Sequence, residues 1–295
     1  MIEKAIYEHL IRQPELADHL TRYAEVPAIF NQKAPDDTDS DWESGTHYGR
    51  IVFDVDLSGD PERCMGGMLT VDILCEESQQ TPDEIWPILN RYIHGYFFSK
   101  GTFVVAAQWK DMSYFTEPTN HVAGCTVTFD LLGFPMLTTF DPDIIARINE
   151  WTSKFSGLHV INHDALPETA WKPSGSESAV YWRLVTDASA GWIPDTFSTI
   201  WRTATIRGHI FSETNGAAAS VARDITLRLY AAKRLKKDGE APAMVNRNNT
   251  VELGADPLRT GQVTVEATYG VVVYKETGGT LEHINYEERS LQNGE

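Results

Sequence analysis

Tyr48-Gly49-Arg50-Ile51-Val52-Phe53-Asp54 and Tyr181-Trp182-Arg183-Leu184-Val185-Thr186-Asp187 share Tyr, Arg, Val and Asp at an offset of 133 residues, with Ile replaced by Leu. Two neighbours recur in the same order. Ala28-Ile29-Phe30-Asn31 is echoed by His159-Val160-Ile161-Asn162 at an offset of 131, and Val127-Thr128-Phe129-Asp130 by Val263-Thr264-Val265-Glu266 at 136. Offsets that drift by a few residues are what loop insertions produce, so the chain reads as a tandem duplication, with one unit at residues 1–138 and its copy at 139–295.

Each unit carries the same series of elements. Ile51, Phe53, Val55 and Leu57 alternate with Val52, Asp54 and Asp56, and Leu69, Val71, Ile73 and Cys75 repeat that period of two, the mark of strands with one buried face. Before them, Ile2–Arg12 and Glu15–Tyr23 read as helices. After them, Thr81-Pro82-Asp83-Glu84 has capping-box spacing and opens a helix that stops near Gly95, its start displaced by Pro87. Strands Thr102–Trp109 and Cys125–Leu132 finish the unit. The second unit opens with Asp141-Pro142 and a helix through Trp151. Strands Tyr181–Asp187 and Thr203–Phe211, a helix Ala217–Leu235, and strands Ala243–Val245 and Gly261–Tyr274 follow. The expected fold class is α+β: two similar units, each a mostly antiparallel sheet with helices packed on it. Asn31–Gly45 and Ala170–Ser178 are expected to be long exposed loops, and the acidic residues from Glu282 onward a terminal segment that packs on a neighbour or frays.

A count of 25 Lys+Arg against 42 Asp+Glu leaves net −17, which removes a basic footprint for nucleic acid and disfavours anionic membrane surfaces. The excess is uneven: residues 1–138 hold 22 acids and 9 bases, residues 139–295 hold 20 and 16. Cys64, Cys75 and Cys125 form no CxxC pair, so neither a disulfide framework nor a zinc site is indicated. No apolar run approaches the ~18 residues of a membrane span. The opening segment carries Glu3, Glu8 and His9 where a signal peptide needs unbroken apolar residues, so assembly in a cytoplasm is expected.

Few residues are placed for chemistry. His159 and His163 are four apart, but the β-branched residues between them favour an extended segment over a metal-binding helix face. Asp36, Asp37, Asp39, Asp41 and Glu43 lack the Gly and terminal Glu of a calcium loop. Asp54 and Asp56 could act as paired carboxylates, yet the copy keeps only Asp187 and has Ser189 in the place of Asp56. GxSxG, GxxxxGK[ST] and GxGxxG do not occur, so no catalytic, cofactor or metal residues are assigned. Arg50 and Arg183 are expected in ion pairs or interface contacts. Arg223, Arg228, Lys233, Arg234, Lys236 and Lys237 lie on and after a helix end, and could meet the acidic first unit of a neighbouring subunit.

An N-terminal helix, a short extended piece, a loop, strands such as Tyr48–Asp54 and Gly67-Met68-Leu69-Thr70-Val71-Asp72-Ile73, a helix and a last strand resemble the tail terminator (tail completion) proteins of long-tailed bacteriophages. The resemblance covers about residues 1–135, and the rest through the duplication. It implies a structural virion protein in the tail or neck, not an enzyme, that caps the tail tube, stops its polymerisation and joins tail to head. Implied partners are the tail tube protein, the head–tail connector protein and further copies of the chain, with DNA passing through unbound and the acidic residues Asp36, Asp37, Asp39, Asp41 and Glu43 facing either that lumen or a partner docking surface. At twice the usual unit length, three chains would make a pseudo-six-fold ring, a hexamer being the second choice. Another neck or baseplate adaptor is the main alternative, an enzyme a weaker one.

Overall fold

The computed structural model describes residues 2–43, 47–60, 62–63, 65–101, 103–118, 121–161, 166, 168–196, 198–235 and 244–273. Cys64, His163, Lys236, Lys237 and the segment from Glu282 lie outside them.

The first half runs α1 (Ile2–Leu10), α2 (Pro14–Ala17), β1 (Arg22–Tyr23), β2 (Val26–Pro27), β3 (Ile29–Asn31), β4 (Arg50–Ser58), β5 (Gly66–Glu76), α3 (Pro82–Ile93), β6 (Phe97–Lys100), β7 (Phe103–Glu117) and β8 (Val122–Gly133). The second runs α4 (Ile144–Thr152), β9 (Leu158–Val160), β10 (Ala170–Trp171), β11 (Ser178–Ser189), β12 (Thr199–Phe211), α5 (Asn215–Ala232), β13 (Arg234–Leu235), β14 (Met244–Val251) and β15 (Val263–Val272). The fold mixes helices and strands, with strands dominant.

One seven-stranded sheet has the order β10-β6-β7-β8-β5-β4-β3, and one six-stranded sheet the order β13-β14-β15-β12-β11-β9. In each, one short strand is parallel to its neighbour, β3 to β4 and β9 to β11, and the other pairs are antiparallel. Ile51, Phe53, Leu69, Val71, Ile73, Val127 and Phe129 send their side chains from the first sheet into a core shared with Ile6, Leu10, Ile85 and Leu89 of α1 and α3. On the second sheet Val180, Trp182, Ile206, Val263 and Val265 do the same against Ile145, Ile148, Ile225 and Leu229 of α4 and α5. The period-two alternation in the strands and the 3.6-residue spacing in the helices each put one apolar face inward.

The other faces of the two sheets meet at one end. There Phe97, Val104, Ala106, Phe134, Trp171, Ala179, Tyr181 and Phe211 form a third buried cluster. Phe134 stacks on Tyr181 at 4.6 Å, Phe97 meets Phe211 edge-on at 5.0 Å, and the Tyr181 hydroxyl donates to Pro135 O at 2.7 Å. Each such aromatic pair adds about 0.5–1.5 kcal/mol beyond its buried area, so the sheets are held as one body. Arg63 ties the same seam, donating from Nη1 to Gly133 O and Leu258 O, both at 2.9 Å.

Several expected boundaries move. The helix expected over Glu15–Tyr23 stops at Ala17, and Arg22–Tyr23 turns into a two-stranded ribbon with β2. Pro87 does not displace the start of α3: the Glu84 carboxylate reaches back to the Thr81 N–H at 3.3 Å, and the carbonyl that Pro87 leaves unbonded, that of Asp83, lies in the first turn. Asp143, not Asp141, caps α4, accepting from the N–H groups of Ile145 and Ala146 at 2.9 Å. The helix expected to reach Leu235 ends at Ala232, because Lys233 takes a positive φ of 55° and redirects the chain into β13. Ala170–Ser178 is not all loop: Ala170 and Trp171 form β10, which crosses to the first sheet and pairs with β6.

Candidate functional site

Asp36, Asp37, Asp39, Asp41 and Glu43 do not form a freely solvated loop. Trp42, 6% exposed, anchors the segment, with its indole N–H donating to Asp36 O at 3.1 Å and its ring edge-on to Tyr23 and Phe30. Asp39 accepts from the Tyr23 hydroxyl and the Asp41 N–H, and Asp37 Oδ1 holds Arg50 Nη1 at 2.6 Å. The Arg50 guanidinium lies over Tyr48 at 4.7 Å and beside Trp42 at 5.8 Å. Burial, then the Asp37 charge, pushes the Tyr48 phenol above its ordinary range. Asp41 and Glu43 are exposed. Asp36 only approaches Lys33, at 3.9 Å. Among the described residues no three His, Cys, Asp or Glu side chains are grouped to hold a metal ion.

Arg183 has a different setting from Arg50. Its Nε donates to His209 Nε2 at 3.0 Å, while His209 Nδ1 donates to Pro257 O at 2.7 Å, which fixes the neutral tautomer. Burial lowers the His209 pKa to about 4, with Arg183, Arg207 and Arg63 adding to the effect. The arginines crowd one buried imidazole at the seam between the sheets, so Arg183 serves the internal interface. Asp187, which the Tyr-Arg-Val-Asp match lays on Asp54, does not share the exposed setting of Asp54. A bulge between Leu184 and Thr186 turns it to the helix-covered face beside Ala204, where it binds Arg202 Nε at 2.8 Å and the Tyr269 hydroxyl at 2.9 Å. Burial first, and that carboxylate second, raise the Tyr269 pKa to about 12.

Arg228, Lys233 and Arg234 do not form one helix-end cluster. Arg228 pairs with Asp224 at 2.8 Å and covers the ring of Phe155 at 4.5 Å. Lys233 and Arg234 lie past the helix, at the outer edge of the second sheet, beside a groove of about 670 Å³ lined by Leu227, Tyr230, Asn246 and Arg247. Tyr230 is 73% exposed there.

Asp54 and Asp56 are exposed on the helix-free face of the first sheet, as their alternation with Phe53 and Val55 requires. The structure adds residues to them. Cross-strand register puts Asp54 beside Thr70, Thr128 and Asp111 in one row, and Asp56 beside Met68 and Asp130 in the next. Asp72, accepting from Thr126 Oγ1 at 2.6 Å, falls in a third. Five aspartates thus share a threonine-rich face, with Lys110 paired to Asp130 at 2.8 Å. The signal was present as Thr70-Val71-Asp72 and Thr128-Phe129-Asp130, two strands with the Asp54 alternation. His159 lies on β9, 5.9 Å from Trp171, in a packing contact.

Comparison of the chain with family models, curated proteins and solved structures finds no match. No helix among the described residues is long and apolar enough to cross a membrane.

Proposed function

We propose that the chain is a structural virion component of a long-tailed phage, a tail terminator built as a tandem duplication, whose copies assemble into a ring on the tail tube. The observation that carries this reading is the repeated strand order. Matching β3, β4, β5, β6, β7 and β8 with β9, β11, β12, β13, β14 and β15 makes the two orders identical, with the parallel pair at the same place. The helix between second and third long strands, α3 or α5, is also matched.

The hydrogen-bond register supports the duplication and re-aligns it. Ile29 stands beside Ile51 and Val160 beside Val180, so equating Ile29 with Val160 equates Ile51 with Val180. Starting instead from Val127 and Val263, the partners are Val71 and Gly208, and theirs are Phe53 and Trp182. Both routes give one alignment, in which Arg50 corresponds to Ala179 and not to Arg183. The Tyr-Arg-Val-Asp match is four residues out of register, which explains the different settings of Arg50 and Arg183. The alignment also makes packing sense, since the larger Trp182 replaces Phe53 where the smaller Gly208 replaces Val71.

Three such chains supply six equivalent units, and heterologous contacts close rings. The aspartate face suits a passage for DNA, because phosphates adhere where lysine and arginine release counterions. Joining tail to head through the tube and connector proteins, and a place in the tail or neck, follow from the same reading. Incubating the purified protein with tail tubes tests it. Rings seated on tube ends that halt further tube growth are expected, and tubes that grow unchanged would reject it. Seating elsewhere on the particle would favour another neck or baseplate adaptor.

A further inference from the structure

The two sheets differ by one strand. In the first, β6 is covered by β10, a piece of the second half; in the second, β13 holds the place of β6 and has no outer partner among the described residues. We propose that the outer edge of β13 takes the acidic segment Ser40–Glu43 of a second copy of this chain, adding the seventh strand between subunits. The inference rests on the duplication.

The donor follows from the register. With Val180 at the place of Ile51, Trp171 of β10 falls on Trp42 without a gap, and Lys172 on Glu43. Both tryptophans are buried, Trp42 to 6% and Trp171 to 7% exposure, and each lies in sequence between the short parallel strand and the long strand of its own half. The Trp42 backbone is set as that of Trp171 is. Ser99 N–H donates to Thr169 O at 2.8 Å, so Thr169 and, two residues on, Trp171 face β6. Ala24 N–H donates to Asp41 O at 2.9 Å, so Asp41 faces β1 and Trp42 turns its own N–H and C=O to the opposite side, where neither meets a backbone partner among the described residues. No refolding is needed to extend a sheet from there.

The acceptor is equally defined. Asn246 N–H donates to Lys233 O at 2.9 Å, which turns Lys233 toward β14 and Arg234 outward. Arg234 pairs with Val245 and Val245 with Thr268, as Phe97 pairs with Ala106 and Ala106 with Leu132; with Val127 laid on Val263, Leu132 falls on Thr268, so Arg234 stands where Phe97 stands. Within the chain Trp171 meets Phe97 at 5.7 Å, and Lys172 lies over the Tyr96 ring at 5.4 Å. Between chains the same places are held by Trp42 beside Arg234 and by Glu43 opposite Lys233. Carboxylate against ammonium is a complementary pair, and the Arg234 guanidinium faces the same acidic segment, the Trp42 ring being already covered within its own chain. Among the described residues no carboxylate of the same chain answers Lys233 or Arg234. Asp39 and Asp41 add to the acidic side and Arg247 to the basic one. One donor and one acceptor per chain give a head-to-tail contact, which propagates around a ring.

Cysteines at Glu43 and Lys233 test the pairing in the full chain. Directly opposed antiparallel residues lie about 4.5–5.5 Å apart at Cα, within disulfide reach. Glu43→Cys with Lys233→Cys is expected to give chain-to-chain disulfides under mild oxidation, and either single variant none. In parallel, Glu43→Lys and Lys233→Glu are each expected to weaken association at least tenfold by sedimentation, with the double swap restoring it; both positions are exposed, so folding, followed by circular dichroism, stays intact. Oligomers that persist without the disulfide and ignore the swaps overturn the strand donation while leaving a ring by other contacts. A wild-type chain that is monomeric at all concentrations also overturns it, and tube capping then decides separately whether the tail-terminator reading survives.

Discussion

Gly208 beside Trp182 is packed differently from Val71 beside Phe53 in the first sheet, and it gives a sharp prediction. A Cβ added there would meet the Trp182 ring at 2.5 Å, with two more ring atoms at 2.8 and 2.9 Å. Trp182 is 1% exposed and is pinned by its indole N–H, 3.3 Å from Thr152 Oγ1, so the ring has nowhere to swing. Overpacking of this kind costs about 1–3 kcal/mol, and Gly208→Ala is expected toward the upper part of that range. Trp182→Phe alone leaves a cavity and forfeits the Thr152 bond, together about 2–4 kcal/mol. The first sheet shows the alternative solution, Phe53 beside Val71. Trp182→Phe with Gly208→Val copies it, so the double variant is expected to lie well above the sum of its single variants, by at least 1 kcal/mol of coupling. Urea unfolding by far-ultraviolet circular dichroism measures the parent, Gly208→Ala, Gly208→Val, Trp182→Phe and the double variant. Gly208→Ala within 0.5 kcal/mol of the parent would refute the packing argument, and simple additivity would refute the equivalence of the two pairs.

Other expectations follow from single contacts. His209 is held neutral, its pKa near 4 in the folded chain against an ordinary 6.5, so the unfolded chain binds the extra proton and stability falls as pH drops from 6.5 toward 4. Between pH 7 and 5 the loss is about 2 kcal/mol, read from urea midpoints; His209→Gln should flatten that slope, and an equally steep variant would contradict it. Asp37→Ala removes the Arg50 partner in a half-exposed pair and is expected to cost about 1 kcal/mol or less, with faster proteolysis of the 32–49 segment as the visible effect. Neutralising Asp54, Asp56 and Asp130 to Asn should leave assembly intact and slow DNA ejection, measured by ejection kinetics from particles carrying the variant; unchanged ejection would leave solubility as the account of that face.

Strand identity and burial were legible in the chain because alternation has only two faces to choose between. Ile51, Phe53, Leu69, Val71 and Ile73 all turn inward where their period of two places them. Register was less legible for the same reason. A slip of four residues preserves inside and outside, so Tyr48–Asp54 could be laid on Tyr181–Asp187 with no hydrophobic penalty, and only the partner strands separate that match from the alignment the proposed duplication uses. Short strands were the other loss. β6, β10 and β13 span four, two and two residues, too few for any period, and exist because a longer neighbour offers an edge. Bulges hid the orientation of Asp187, since one inserted residue reverses every side chain after it. The acidic loop was read from composition alone, which gives charge but not the Trp42 anchor.

β10 has a consequence for how the molecule comes into being. Chains are made from the N-terminus, and early domains commonly fold while later ones are still being synthesised. Here the first sheet cannot finish on those terms, because its outermost strand, Ala170–Trp171, comes after α4 and β9 of the second half. Until that piece emerges, β6 shows a bare edge and Phe97, Val104 and Ala106 lack their cover. The two halves are therefore interdependent in time as well as space: a gene cut at residue 138 would yield a first half with an exposed aromatic edge, prone to capture any strand nearby.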